Sequence, residues 1–236
     1  MTIEYLYPEI CNLYGDSFNI RYLRKILKDA SFVETNLKNE PCFATNDVDM
    51  IYLGATTEEG QEMIIERLLP YKNRLEELID SGKVILCTGN AMEVFGEKIL
   101  SDDGTEITGL GIFKTTAKRE MLNRYNSIFL GQMEGFEVVG FKSQFSHSYG
   151  DNADGYVMKA VKGCGLNPET DREGIRRKNF IGTYVIGPIL LLNPPFVRYL
   201  LSLMGTEAEI VFEEDAMKAY EVRLNEYHRP DIKLES

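Results

Sequence analysis

Short apolar runs alternate with helix-like periods along the first part of the chain. Four runs predict strands, at residues 3–7, 31–37, 49–53 and 84–87. Apolar residues at helical spacing predict helices between or after them, one carrying Ile20, Leu23 and Leu27 and others at 62–69, 75–79 and 90–98. The run at 84–87 is continuously apolar, as expected for a strand covered on both faces. This alternation predicts a parallel sheet in a layered α/β fold.

Between residues 105 and 162 the pattern changes to shorter strand-like segments. They lie at 126–130, 135–139 and 156–161 and predict antiparallel strands that extend the sheet. Pro70 is expected to separate two helices, and Gly82 to end the second of them in a left-handed turn. The expected elements are completed by a strand at 180–185, a helix at 194–204 and an acidic amphipathic helix at 212–227. Repeats are absent, and residues 1–236 are expected to form one domain.

The composition narrows the classes of function. The 236 residues include 37 acidic and 26 basic ones, for a formal net charge of -11, and no block of basic residues, which argues against a nucleic-acid partner. The four cysteines have no C-x-x-C spacing and the start does not resemble a signal peptide, so a cytoplasmic protein with reduced thiols is expected. The longest apolar region, 185–204, is interrupted by prolines, Asn193 and Arg198, so membrane insertion is not expected.

Three stretches of sequence carry a family resemblance. The first is L-Y-P at 6–8 followed by N-L-Y-G-D at 12–16, and the second is C-T-G-N-A-M-E-V-F-G at 87–96. The third begins with G-C-G-L-N at 163–167 and ends with G-T-Y-V-I-G-P-I-L at 182–190. These stretches resemble class I glutamine amidotransferases of the cobyric acid synthase type, over about residues 3–228. Within that family the resemblance is strongest to the glutaminase subunits of lipid II isoglutaminyl synthases.

The resemblance implies a fold and a chemistry. The fold is a layered α/β/α, flavodoxin-like arrangement with a mostly parallel central sheet and an antiparallel extension. The chemistry requires a cysteine on a strained strand-to-helix turn, a histidine that holds it as a thiolate, and backbone N–H groups that stabilise an oxyanion. Aligned on Gly96, the family's cysteine falls on Gly89, and its histidine falls on Ile186. No catalytic residue is therefore expected, because losing either member of the dyad lowers the rate by orders of magnitude.

Two loops that resemble the family's substrate-binding loops are also changed. In the stretch 140–148, which resembles G-F-E-N-H-G-G-R-T, Lys142 and Gln144 stand in place of the glutamate and histidine, and His147 stands in place of the arginine. The loop at 53–59 resembles the family's G-G-G-Q-D-x-E-Q loop with one glycine kept and the aspartate and glutamine not retained, although a backbone N–H could still point inward there. The resemblance places a vacated pocket around seven residues: Gly54, Ala55, Gly89, Asn90, Arg124, Gln144 and Ile186.

Cys87 is the alternative nucleophile. It lies two residues before Gly89 on the same strand face, roughly 6 to 7 Å back along the strand at about 3.3 Å per residue. A cysteine there is expected to be a small core residue inside the sheet. Only two histidines, His147 and His228, are present, and both are expected to be surface or loop residues and not bases.

Three functions remain open from the sequence. The first is a silent subunit that binds a partner, such as a Mur-ligase-like ATP-dependent enzyme. The second is a working glutaminase that uses Cys87 and passes ammonia to a ligase for amidation of lipid II or a related substrate. The third is a binding module that holds glutamine or another small amide in the vacated pocket. No metal or cofactor is expected in any of them.

Overall fold

A computed structural model describes residues 1–232 of the chain. The strands, numbered along the chain, are β1 Thr2–Leu6, β2 Ser31–Thr35, β3 Met50–Leu53, β4 Val84–Thr88, β5 Lys98–Leu100, β6 Glu106–Thr108, β7 Thr116–Arg119, β8 Tyr125–Met133, β9 Phe136–Gln144, β10 Ser146–Tyr149, β11 Met158–Lys162, β12 Arg172–Glu173, β13 Ile175–Arg177 and β14 Phe180–Thr183. The α-helices are α1 Ser17–Ile26, α2 Glu58–Leu68, α3 Lys72–Asp80, α4 Ile189–Leu192, α5 Pro194–Leu203 and α6 Glu213–His228. Short 3-10 helices occupy Leu13–Gly15, Cys42–Ala44, Leu69–Tyr71 and Gly89–Phe95.

The central sheet has six strands in the order β13-β14-β4-β3-β1-β2. All neighbours in it are parallel except β13 and β14. Every residue of β3, β4 and β14 is buried, as the continuous apolar run in β4 predicted. The register pairs Leu6 with Leu53, Leu53 with Cys87, and Cys87 with Gly182. The loops that follow these parallel strands therefore meet at one edge of the sheet, where open α/β sheets bind ligands.

The strands at 126–130, 135–139 and 156–161, which were expected to extend the central sheet, lie instead in a separate antiparallel sheet of order β12-β11-β8-β9. A further sheet has the order β10-β7-β5-β6, in which β5 and β7 are parallel. The antiparallel strand of the central sheet is β13. A backbone bridge between Phe141 and Ile186 connects β9 to the segment after β14. The pattern did not predict β5, β6, β7, β10, β12 or β13, since runs of two to four residues are too short to show an alternation.

The expected helix at 90–98 is wrong in type and length. It is a 3-10 helix that ends at Phe95. The carbonyls of residues 94–97 accept hydrogen bonds from the N–H groups of residues 109–112, so they are unavailable for another helical turn. The helices on either side of Pro70 form as predicted, separated by the short helix Leu69–Tyr71, and Gly82 has the expected left-handed conformation with φ +84°. Within residues 1–232, no helix is both long and apolar enough to cross a membrane.

Candidate functional site

The turn after β4 has the left-handed backbone expected of a nucleophile elbow, but the residue at its centre, Gly89, has no side chain. Gly89 has φ +61°, in the left-handed region that glycine adopts readily. A Cβ added to Gly89 would lie 2.7 Å from Cβ of Ala55 and 3.4 Å from Cγ2 of Ile186. The two positions where the resemblance places a cysteine and a histidine therefore face each other. The space beside Gly89 is filled by two aliphatic groups.

Neither Ile186 nor Cys87 presents a reactive group at this turn. Ile186 is 1% exposed, and its N–H donates to the carbonyl of Phe141 at 2.9 Å. Cys87 is fully buried between β3 and β14. Burial raises the pKa of its thiol well above the usual value, and the nearby Cys11 acts in the same direction. Cys87 is therefore a protonated thiol inside the core, whereas the nucleophile of this chemistry is a thiolate.

The loop after β3 has its backbone donors already engaged. The N–H of Ala55 donates to Oδ2 of Asp16 at 2.7 Å, and the N–H of Thr56 donates to Oδ1 of Asn90 at 3.1 Å. Asn90 returns a hydrogen bond from Nδ2 to the carbonyl of Thr56 at 2.9 Å. The expectation that a backbone N–H of this loop could point inward does not hold for these two residues. Their hydrogen bonds hold the loop closed against the elbow.

Asp16 and Asn19 tie three of these loops together. Oδ2 of Asp16 also accepts from the hydroxyl of Thr88 at 2.6 Å, and its Oδ1 is buried without a hydrogen-bond partner among residues 1–232. Thr88 lies 3.0 Å from the hydroxyl of Tyr52, which accepts from Nδ2 of Asn19 at 2.8 Å, while Oδ1 of Asn19 accepts from the N–H of Leu190. Burial raises the pKa of Asp16 to about 6. The sequence marked Asp16 only as part of a motif; the structure gives it this connecting position.

A second buried network surrounds Glu93, which stands where the family pattern has a glutamine. Its carboxylate accepts hydrogen bonds from the hydroxyl of Tyr184 at 2.6 Å, from Nε2 of Gln61 at 2.8 Å, and from the hydroxyl of Ser146. Arg119 donates to Oε1 of Gln61 at 2.9 Å and so completes the chain. Burial raises the pKa of Glu93. The three residues that donate to Glu93 come from α2, from β10 and from the segment after β14. The network therefore connects these three parts of the chain to the elbow.

Lys142 forms a buried ion pair with Glu173. Neither side chain is exposed. The Lys142 ammonium also donates to the carbonyls of Cys164 at 2.8 Å and Gly165 at 2.7 Å, so all three of its donors are used. Glu173 in turn accepts from the hydroxyl of Thr183 and from the N–H of Tyr184. Lys142, at a position where the resemblance places a glutamate, is therefore a structural connection between β9 and the chain around β14.

A cavity of about 170 Å³ opens beside the elbow. Its lining residues are Leu13, Tyr14, Ala55, Thr56, Thr57, Glu58, Gly89, Asn90, Arg124, Ser143, Gln144 and Phe145. The structure thus brings together five of the seven expected pocket residues. The other two, Gly54 and Ile186, lie behind this lining. Tyr14 was not predicted as a pocket residue. The Y-G-D motif at 14–16, which the sequence analysis singled out, was the signal that could have indicated its position in the cavity.

Two polar side chains define the character of this cavity. Nε2 of Gln144 donates to the carbonyl of Ser146 at 2.6 Å, which fixes the orientation of the amide. Oε1 of Gln144 is then a buried acceptor without a partner in the described structure. Arg124 donates to the hydroxyl of Tyr14 at 2.6 Å and lies 5.0 Å from the ring centre of Phe145. The cavity is therefore lined by the Arg124 cation, while the acceptor oxygen of Gln144 is buried and not accessible from the cavity in this conformation.

The two histidines lie away from the dyad positions. Nδ1 of His147 is 3.2 Å from Nε2 of Gln144, and its ring packs edge-on against Tyr125. Burial and the Lys142 charge lower the pKa of His147, so it is neutral at pH 7. His228 is at the end of α6, 2.9 Å from the carboxylate of Glu137. Within residues 1–232, no group of three or more histidine, cysteine, aspartate or glutamate side chains is arranged to hold a metal ion.

Known structures place the fold in a class. A solved glutamine amidotransferase superimposes with a TM-score of 0.57 and 12% sequence identity, covering 86% of this chain and 99% of that one. At that identity the likeness concerns the fold alone. The layered sheet and the loops at its edge are those of a glutamine amidotransferase-like α/β protein.

The sequence narrows the class to a family. Residues 2–193 match the CobB/CobQ-like glutamine amidotransferase domain, and the chain belongs to that family. It is 32% identical over 220 residues to the subunit GatD of lipid II isoglutaminyl synthase (glutamine-hydrolyzing) from Staphylococcus aureus, covering 90% of this chain and 88% of that protein. The GatD subunit from Streptococcus pneumoniae is 27% identical over 201 residues, covering 82% and 76%.

Proposed function

We propose that this chain is a glutaminase-like subunit that does not hydrolyse glutamine and that binds an ATP-dependent ligase of the Mur type. The observation that carries the proposal is the filled space at Gly89. The methyl of Ala55 stands 2.7 Å from the point that any side chain at position 89 would occupy, and Ile186 covers the other side. A nucleophile and a base would both have to be introduced there, and Ala55 would have to move away or be replaced by glycine to make room for the new side chain.

The surrounding hydrogen bonds support the same proposal. The N–H groups of Ala55 and Thr56 are satisfied by Asp16 and Asn90, so they are not held ready for a developing oxyanion. Lys142 and Glu93, which replace the family's glutamate and glutamine, are each fully bonded within the protein. Lys142, Glu93 and Asn90 are therefore engaged in hydrogen bonds within the protein.

The alternative is a working glutaminase subunit that passes ammonia to a ligase for amidation of lipid II or a related substrate. The names of the two GatD relatives favour it, since both are described as glutamine-hydrolyzing. In this chain it requires Cys87 to act from inside the sheet with a raised pKa. We prefer the silent subunit because a buried neutral thiol is a poor nucleophile.

A glutaminase assay separates the two functions. Purified chain, alone and mixed with the co-expressed ligase, is incubated with glutamine while glutamate release is measured. We expect no release above buffer, and no change in Cys87→Ala. A family member that carries both dyad residues is the positive control. Glutamate release that disappears in Cys87→Ala would establish the alternative.

The ligase itself supplies a second test. If the subunit is silent, the complex uses added ammonium as its nitrogen donor and gains nothing from glutamine. ATP hydrolysis and product amidation by the complex are measured in three parallel reactions, with ammonium chloride, with glutamine, and with neither. Failure of the co-expressed ligase to bind this chain would contradict the partner proposal.

A binding module is the second candidate, and the unused Oε1 of Gln144 is the observation that favours it. Rotation of the Gln144 side chain into the cavity would let a small amide donate an N–H to that oxygen while an acidic group meets Arg124. Thermal unfolding with and without glutamine or other small amides tests it, with Gln144→Leu as the variant that removes the acceptor. A shift in wild type that is absent from Gln144→Leu supports binding; no shift in wild type opposes it.

A further inference from the structure

An exposed aromatic side chain stands at the start of α6. Phe212 is 75% exposed, and its backbone is left-handed with φ +57°. A bulky residue in this conformation is an outlier, because its Cβ crowds the following carbonyl. A phenylalanine that gains little burial in a strained conformation contributes little to the folding of its own chain.

The backbone around Phe212 is held firmly. Ile210 is buried, and the carbonyl of Val211 accepts from the hydroxyl of Tyr22 at 3.1 Å. The carbonyl of Phe212 accepts from the N–H of Ala216 in the first turn of α6. The ring is therefore exposed to solvent on a backbone segment that is held by hydrogen bonds. Little backbone entropy remains to be lost when a partner covers the ring.

The surroundings of Phe212 are strongly acidic. Residues 205–217 contain five carboxylates and no lysine or arginine: Glu207, Glu209, Glu213, Glu214 and Asp215. Glu213 pairs with Arg198, and Glu214 pairs with Lys218. The other three form no ion pair within residues 1–232. Three uncompensated negative charges thus lie near the exposed ring.

An open groove of about 800 Å³ adjoins this segment. It lies between the end of α5 and residues 205–209, and its walls include Leu201 and Ala208 as well as Glu207 and Glu209. Arg198 lines the groove and also reaches Glu213 at the start of α6. The groove and the acidic segment therefore form one continuous surface, which we call the Phe212 surface.

We infer that the Phe212 surface is the docking site for a basic face of the ligase partner, an inference that rests on the proposed function. A rigid aromatic residue with a groove beside it suits an anchor at the centre of an interface. The unpaired carboxylates select a partner of opposite charge and speed its approach. A second copy of this chain is disfavoured as the occupant, because two such surfaces on chains of net charge -11 repel each other.

Binding of the ligase subunit to variants of the full chain tests the inference. Dissociation constants are measured for wild type, for Phe212→Ala, and for the double variant Glu207→Lys/Glu209→Lys. Val222→Ala is the matched control, since Val222 is 61% exposed on the same helix about 15 Å further along. Thermal unfolding of each variant verifies that it is folded, and sedimentation establishes whether the chain alone is monomeric.

We expect Phe212→Ala to weaken binding by about tenfold or more, and Val222→Ala to leave it unchanged. The double lysine variant should slow association and remove much of its dependence on salt between about 0.05 and 0.3 M.

Equal binding by wild type, Phe212→Ala and the lysine variant would overturn this inference while leaving the proposed partner intact. No binding by wild type would instead overturn the proposed function. A wild-type dimer that Phe212→Ala dissociates would assign the surface to a second copy and overturn the stated occupant.

Discussion

The residues at positions 55, 89 and 186 are small or aliphatic, and they fit one another at the elbow. Gly89 has no Cβ, and the methyl of Ala55 lies where that Cβ would make contact. Ile186 adds an aliphatic surface on the other side. The three residues pack as one apolar group, so changing one of them alone disturbs the others.

The first prediction concerns this packing. Gly89→Ala should destabilise the protein by more than the left-handed backbone penalty of about 1 kcal/mol, because the new methyl meets Ala55. Ala55→Gly in the same chain should recover part of that loss, with a coupling of roughly 1 kcal/mol in a double-mutant cycle. Urea unfolding of the four proteins measures it.

Gly104→Ala is the control for this cycle. Gly104 has φ +85°, and no heavy atom of residues 1–232 outside its immediate neighbours lies within 4 Å of an added Cβ, so only the backbone penalty applies. Equal losses for Gly89→Ala and Gly104→Ala would show that the contact with Ala55 is relaxed without cost.

At the scale of elements, buried polar side chains connect the loops that the sheet brings to one edge. Lys142 on β9 binds Glu173 on β12, which in turn holds Thr183 at the end of β14. The Lys142–Glu173 pair thus joins the two edge strands of one sheet, and Glu173 links that sheet to the central one. The fold of this region depends on the pair being complete.

The second prediction is that Lys142→Met destabilises the protein by about 3 to 5 kcal/mol, because Glu173 is left buried without its cation. The double variant Lys142→Met/Glu173→Gln should recover most of this loss, since the amide carries no charge. Lys159→Met is the matched control; its pair with Asp171 is exposed and should cost at most about 1 kcal/mol. Similar losses at both lysines would refute the connecting role of Lys142.

At the scale of the whole molecule, Asp16 makes the stability depend on pH. Its folded pKa is about 6, above the usual 3.8, because burial disfavours the charged form. Between these values the folded protein keeps a proton that the unfolded chain has released. Stability contributed by Asp16 therefore falls as pH rises from about 4 to about 6 and is constant above that range.

The third prediction follows from this linkage. The free energy of unfolding of wild type minus that of Asp16→Asn should fall by the order of 3 kcal/mol as pH rises through that window. Urea unfolding at a series of pH values measures both proteins, and the variant cancels the contributions of the other carboxyl groups. A difference that does not change with pH would mean that Asp16 is charged throughout.

Much of the architecture could be predicted because its signals are local. The continuous apolar run of β4 predicted a buried parallel strand, and Pro70 and Gly82 marked helix boundaries through their own backbone preferences. The short strands of the two smaller sheets could not be predicted, since their pairing depends on distant partners. The early end of the helix after Gly89 also depends on distant residues, because the carbonyls of residues 94–97 bind the N–H groups of residues 109–112 and not those of a further helical turn.

For the site, the sequence by itself determined that glycine stands at position 89 and isoleucine at position 186. Only the tertiary structure decided what surrounds them. The methyl of Ala55 lies where a side chain at position 89 would begin, Asp16 accepts the N–H of Ala55, and within residues 1–232 Oε1 of Gln144 has no hydrogen-bond partner. These contacts join residues far apart along the chain, and their distances are set by the register of the parallel strands, which residue types alone do not specify.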